Sequence, residues 1–419
     1  MKLKLTTALG TALLAAAPAF ADKAAVLDNY ANIALAKYED SLTTATMLQT
    51  AVESLVASPS AEALQAAKEA WLNSRVPYQQ TEVYRFGNAI VDDWEGKVNA
   101  WPLDEGLIDY VDESYGGDIG ENTFRTLNVV ATPSFTLSGE TIDASVITPA
   151  LLEESLHEVD EVEANVATGY HAIEFLLWGQ DLNGHGPGAG NRPWTDYASG
   201  DACTGGNCDR RAAYLQAATA LLVSDLEWMV SQWQGDGEAR IQLTADENAG
   251  INTIFTGMGS LSYGEQAGER MKLGVMLNDP EEEHDCFSDN THNSHFYDAM
   301  GIRNVYLGSY TRIDGTVVSG ASLSGLVSEA SAEADADLTA KLNATMLEMS
   351  EMKTAAEAGF AYDMMLELGN EEGEALIMGA VDALVAQTRA IERAMAAMDV
   401  AAIEFEGSDS LDNPDAVFQ

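Results

Sequence analysis

Basic residues are scarce in this chain: 21 Lys and Arg stand against 67 Asp and Glu in 419 residues, a formal net charge of −46. A surface so acidic repels nucleic acid and anionic membrane, and nucleic acid is not expected as a partner. It attracts cations or suits a saline medium, and composition alone favours the medium. Cysteine is nearly absent, with three residues, and no second ligand pair has the spacing of a structural zinc module. The HExxH pattern of one-helix zinc peptidases is missing. Beyond the first 21 residues there is no apolar run long enough to span a bilayer, and period-two alternation is thin throughout. With 46% hydrophobic residues the chain is nonetheless globular.

The opening, MKLKLTTALGTALLAAAPAFA, combines two lysines, an apolar run and small residues at Ala19 and Ala21. It reads as a secretory signal peptide cleaved before Asp22, which predicts a periplasmic or secreted protein. No cysteine stands at the cleavage point to carry a lipid. In an exported protein Cys203 and Cys208, in DACTGGNCD, are expected to form a short disulfide loop, with a zinc site as the alternative. Cys286 is left over, and its state is open.

Helical periodicity dominates the rest. A long Ala-rich helix is expected over 24–56, broken by Ser58-Pro59-Ser60. A second follows over 61–86, kinked at Pro77, with Arg75, Tyr78, Glu82 and Arg85 gathered near the kink. That cluster reads equally as the wall of a site or as a Glu82–Arg85 pair. Residues 127–147 read as a lid or excursion with short β-like runs. Thr148-Pro149 then opens a helix whose first part, 153–167, is acidic and solvated. Further helices are expected over 210–233, 249–276, 323–368 and 372–402, the second of these with close helix contact at Gly257 and Gly259. The fold class is therefore all-α, with two helical-bundle domains at 22–205 and 206–405, a polar tail at 406–419, and a rough parallel between the halves that suggests duplication.

The chain is organised around Gly169-Tyr170-His171-Ala172-Ile173-Glu174-Phe175-Leu176-Leu177-Trp178-Gly179. Almost every position is apolar, so this helix must run into the interior, carrying an imidazole and a carboxylate one turn apart. A buried Glu needs a partner: an ion pair, a hydrogen bond or a cation. A metal held by His171 and Glu174 is one reading, and a self-satisfied structural pair is the other. Two further stretches carry chemistry. A glycine-rich loop after Gly179 holds His185, Asp196 and Tyr197. A later stretch holds His284, His292 and His295 among Asp285, Asp289 and Asp298, a palette suited to metal ligation.

GYHAIEFLLWG resembles the GxHxxE motif of the imelysin family. RVPYQQTEVYRFG, WPLDEG, DLNGHGPGAGNRPWTDY and ERMKLGVMLNDPEEEHDCFSDNTHNSHF extend the resemblance over nearly the whole mature chain, the last two matching best the branch called iron-regulated protein A. The resemblance implies an exported, two-bundle helical protein associated with bacterial iron acquisition, with the motif near the domain interface. It implies a metal site at His171 and Glu174, with Glu82 as a further acidic ligand. Iron is the metal favoured, zinc is possible, and a haem or iron complex is a further candidate. An envelope iron-transport system would be the partner. The family is also grouped with metallopeptidases. That alternative requires three ligands and a general base, and HxxE supplies two ligands and no base, so a non-enzymatic role is favoured. A third reading is an envelope interaction protein in which His171 and Glu174 are structural.

Overall fold

The first helix, α1 (Lys23–Ala57), begins where the Asp22 side chain accepts a hydrogen bond from the Ala25 amide. It stops at Ser58, which Pro59 bars from helical geometry. Ser60 caps α2 (Ala61–Gln79) in the same way. These and all later observations come from a computed structural model that describes residues 22–115 and 122–418. The signal peptide expected at 1–21 lies outside the described residues.

The second helix ends at Gln79 rather than running to Phe86, and the chain turns through a 3-10 segment, Glu82–Tyr84. Buried Lys37 of α1 donates to the freed carbonyl of Gln80 at 2.8 Å, which fixes this break. After α3 (Ala89–Asn99) comes a two-stranded antiparallel hairpin, Ser134–Leu137 with Glu140–Asp143, where a lid was expected.

The acidic helix expected over 153–167 does not form. Pro149–Leu156 is helical, but Glu158, Asp160 and Glu161 then adopt φ of 52°, 65° and 61°, and the chain folds back on itself. The Asn165 side chain holds this turn by donating to the Val159 carbonyl at 2.7 Å. The motif helix, α4, is therefore short, Gly169–Trp178, and every one of its residues is buried.

Helix α5 (Cys208–Trp233) follows the glycine-rich loop, with Cys203 and Cys208 joined as a disulfide. It lies on α1 and α4, so the boundary expected at residue 205 separates it from the helices it packs against. Helix α6 (Glu247–Ser260) continues through a wider π-type stretch, Leu261–Lys272, into Leu273–Leu277. A side chain at Gly257 would come within 2.2 Å of the Val83 carbonyl oxygen, the close helix contact that its glycine predicted. Helix α7 (Thr291–Leu307) leads into a small hairpin, Ser309–Thr311 with Val317–Ser319.

The helix expected over 323–368 is broken at Ser331, which caps α8 (Ala332–Glu357), and again near Gly359 at φ +98°. Helix α9 (Glu371–Ala397) packs on α8 and on the π stretch around Met271, Met349, Met352 and Ile377. The larger core gathers α1, α2, α4 and α5 around Tyr38, Trp71, Tyr170 and Trp233. The polar tail is docked rather than free. Glu406 to Ser408 runs against Gly264 and Gly268, whose missing side chains leave room for it. Among the described residues the architecture is all-α apart from the two hairpins.

Candidate metal centre

Gly169 opens α4 at φ +79°, and a Cβ there would sit 2.4 Å from the Val98 carbonyl oxygen. Only glycine satisfies both constraints, and the contact sets the depth at which the next turn enters the core. Two positions on, His171 is wholly buried, its ring 5.0 Å from that of Trp101 and 4.9 Å from that of His284. Its Nδ1 lies 3.1 Å from Glu174 Oε2 and 3.9 Å from Asp285 Oδ1, and its Nε2 has no protein partner. An Nδ1–H donated to a carboxylate leaves Nε2 as a free lone pair, the arrangement that orients a metal-binding imidazole.

Glu174 is equally buried. Its Oε1 accepts from the backbone and hydroxyl of Ser288 at 3.0 and 2.6 Å. Burial first, then the charge of Asp285, push its carboxyl well above the usual range, and Ser288 pulls in the opposite direction.

The segment that meets α4 is His284-Asp285, just ahead of α7. Ligand atoms of His171, His284 and Asp285 all lie within 4.8 Å of one another. Burial pushes the His171 imidazole down to about 3 and that of His284 well below its ordinary value. Both rings are therefore neutral at pH 7 and need lose no proton to bind a cation. Asp285 is held by Arg75 at 2.8 Å, Asn290 at 2.8 Å and Ser294 at 2.5 Å. Burial is the largest single influence and would raise its pKa, but the Arg75 guanidinium, His171 and the hydrogen bonds from Ser294 and Asn290 together outweigh it and hold the carboxyl below its ordinary value. Arg75 also binds Asn99 Oδ1 at 2.6 Å, and Asn99 Nδ2 stands 3.4 Å from His284 Nε2.

Glu82 lies outside this group. It pairs with Arg270 at 2.8 Å, and Arg270 also binds Asp298 at 3.1 Å. Arg85 does not pair with Glu82 but reaches Asp92 and Glu265. His185 and Asp196 of the glycine-rich loop are likewise outside the group. Asp196 answers Arg192 and Tyr110, and the Tyr197 hydroxyl donates to the Leu176 carbonyl. His292 and His295 are buried, with no place among the three ligands. His157 accepts from the Ala167 amide at 3.3 Å and serves the turn.

A cleft of about 460 Å³ reaches this group at His284 and Trp101. Glu95, Glu158, Glu163, Glu265, Glu269 and Glu282 line it, opposed by Arg85 and Arg270. The left-handed turn at 158–161 thus carries Glu158 to the wall of a cation-attracting channel. Burial, then the charge of Glu82, raise Glu95 from its ordinary 4.5 to about 7. A raised folded-state pKa stabilises below the unfolded value, and this contribution is lost as pH rises through about 7. Glu95→Gln is expected to flatten the loss of stability between about pH 4.5 and 7, and to stabilise the protein at pH 8 by on the order of 2 kcal/mol. Denaturant melts across that range check this, and parallel wild-type and variant curves would refute it.

The family model described as imelysin matches residues 34–391. The chain belongs to the imelysin family. A cyanobacterial relative, iron-regulated protein A of Synechococcus elongatus, is 37% identical over 60 residues, 14% of this chain and 17% of that protein. The match thus spans well under two thirds of that relative. Among solved structures, an iron-regulated protein A precursor of Parabacteroides distasonis superimposes with a TM-score of 0.64 at 18% identity, covering 92% of this chain and 97% of that one. An imelysin-like protein of Psychrobacter arcticum gives 0.56 at 16% identity, covering 92% and 96%. At these identities the two structures establish that imelysin relatives share this fold. Among the described residues no helix is long and apolar enough to cross a membrane.

His284, Asp285 and Arg75 each stood out in the sequence, but nothing local said that they meet His171. Ser288 and Asn99 carried no signal, because a serine or asparagine in a turn or at a helix end is ordinary.

Proposed function

We propose that this imelysin-family protein is an exported metal-binding protein serving iron uptake or iron homeostasis. The metal would be bound by His171, His284 and Asp285. The reading rests on one observation above all: two neutral imidazoles and a carboxylate gather in a buried site with His171 Nε2 unsatisfied. Two nitrogens and one oxygen suit iron(II), and also zinc or manganese. Glu174 acts here by orienting His171, a role distinct from direct ligation. Glu82 is buried against Arg270, which lines the cleft.

The name of the cyanobacterial relative, iron-regulated protein A, supports an iron-related role. The acid-lined cleft favours a bare cation over haem, whose propionates it would repel. Binding is favoured over peptide hydrolysis because both Glu174 oxygens are engaged, leaving no free general base beside His171.

The test is metal analysis and titration of the folded protein with iron(II), zinc(II) and manganese(II), beside His171→Ala and His284→Ala. One equivalent of transition metal is expected, with affinity falling at least ~100-fold in either variant while circular dichroism stays helical. A wild type that takes up none of the three would overturn the proposal and leave the Arg75–Asp285 network as core architecture.

A further inference from the structure

Beside the centre just described lies a second group of acids with a different character. Glu283, Asp289 and Asp363 bring carboxylate oxygens within 4.8 Å of one another. They come from three separate places: the end of the 280–282 turn, the approach to α7, and the short helix Tyr362–Met365 between α8 and α9. Glu283 and Asp363 are each 1% exposed.

Other buried acids in this protein have partners: Asp40 meets Arg312, Asp109 meets Arg192 and Arg211, Asp298 meets Arg270, Asp285 meets Arg75, and Glu174 is answered by Ser288 and His171. Glu283, Asp289 and Asp363 take part in no ion pair among the described residues. Both Asp363 oxygens, Glu283 Oε2 and Asp289 Oδ1 are buried without a hydrogen-bond donor. Mutually repelling carboxylates cost several kcal/mol to bury, on the order of what a bound ion returns. These four oxygens lack a donor in hydrogen-bond geometry, and a cation in their midst supplies what the protein does not give them.

We propose that Glu283, Asp289 and Asp363 form a binding site for a hard divalent cation of the calcium class. The ligand atoms are all oxygen, which selects against the thiolate- and imidazole-seeking metals. Asp289 is only partly buried, so water can complete the coordination shell from that side. Glu283 adjoins His284 and Asp285 in sequence, so one short segment serves both centres. Occupation of this site ties the segment to the Tyr362–Met365 helix and thereby fixes the two ligands that face His171.

The probe is calcium chloride added to metal-stripped protein in about 1 M sodium chloride, where a screening length of ~3 Å suppresses diffuse binding to the acidic surface. Calorimetry is expected to give one calcium per chain, and thermal melts a calcium-dependent rise in midpoint. Asp363→Asn should weaken calcium binding at least about tenfold. Without calcium the same variant should melt above the wild type, because one of three repelling charges is gone. His171→Ala should keep the calcium response, which separates this site from the transition-metal centre. The absence of a calcium response in wild type, or its survival at full strength in Asp363→Asn, would overturn the proposal. So would an Asp363→Asn variant that, free of calcium, melts below the wild type.

Discussion

Arg75→Met is expected to destabilise the metal-free protein by about 3–5 kcal/mol, because it leaves the Asp285 carboxylate buried without its countercharge. Arg75 is 1% exposed and is the cation that answers Asp285, as well as the donor to Asn99. Its guanidinium also lies over the rings of Tyr170, Trp71 and Tyr78 at 5.0, 5.5 and 5.6 Å, so methionine preserves part of the apolar contact but none of the charge. The pH dependence has a definite sign. Asp285 is held below its ordinary pKa in the folded protein, so its contribution is present above the unfolded value and lost as pH falls through the folded value. The variant should therefore lose most at neutral pH and converge on the wild type in acid. If Asp285 binds a metal, zinc(II) or iron(II) should restore part of the lost stability. Denaturant unfolding at pH 7 and at about pH 3, below the ordinary aspartate pKa of about 4, with and without metal at pH 7, measures all of this. A variant as stable as wild type at pH 7 would show that the pair contributes nothing.

Gly169→Ala carries a second large expectation: a loss of about 4 kcal/mol or more, enough to prevent accumulation of folded protein. Two penalties combine. Alanine at φ +79° costs roughly 1–2 kcal/mol, and its Cβ would stand 2.4 Å from the Val98 oxygen, so α3 or α4 must shift. Gly139 is the internal control. It lies at φ +85° in the first hairpin, and a Cβ there would meet nothing within 4 Å, so Gly139→Ala should cost only the conformational part, about 1–2 kcal/mol. Thermal melts of the two variants side by side decide the matter. Equal losses would mean that the close approach to Val98 is easily relieved and that the motif glycine serves its backbone angle alone.

Much of the fold was legible locally. Ser58-Pro59-Ser60 places the break between α1 and α2, and the apolar run from Gly169 to Trp178 announces a buried helix, because caps and periodicity act within a few residues. The misreadings share a cause. Acid-rich 153–167 has helical composition, yet its backbone folds back through Glu158, Asp160 and Glu161. The run over 323–368 is continuous in propensity, yet Ser331 and Gly359 break it. Propensity is a weak prior that tertiary contacts override.

The candidate centre divides along the same line. That His171 and Glu174 share a face one turn apart follows from helical geometry, and that a buried carboxylate requires a partner follows from its solvation. The sequence by itself thus determined an all-α chain with a costly polar pair driven into its core. Which groups answer that pair was decided only by tertiary structure. Ser288, 114 residues from Glu174, supplies the hydrogen bonds, His284 and Asp285 complete the cluster, and Glu82 is drawn instead to Arg270. Burial creates a demand for partners that any donor, base or cation of the right shape can meet, and only the convergence of distant segments settles which of them does.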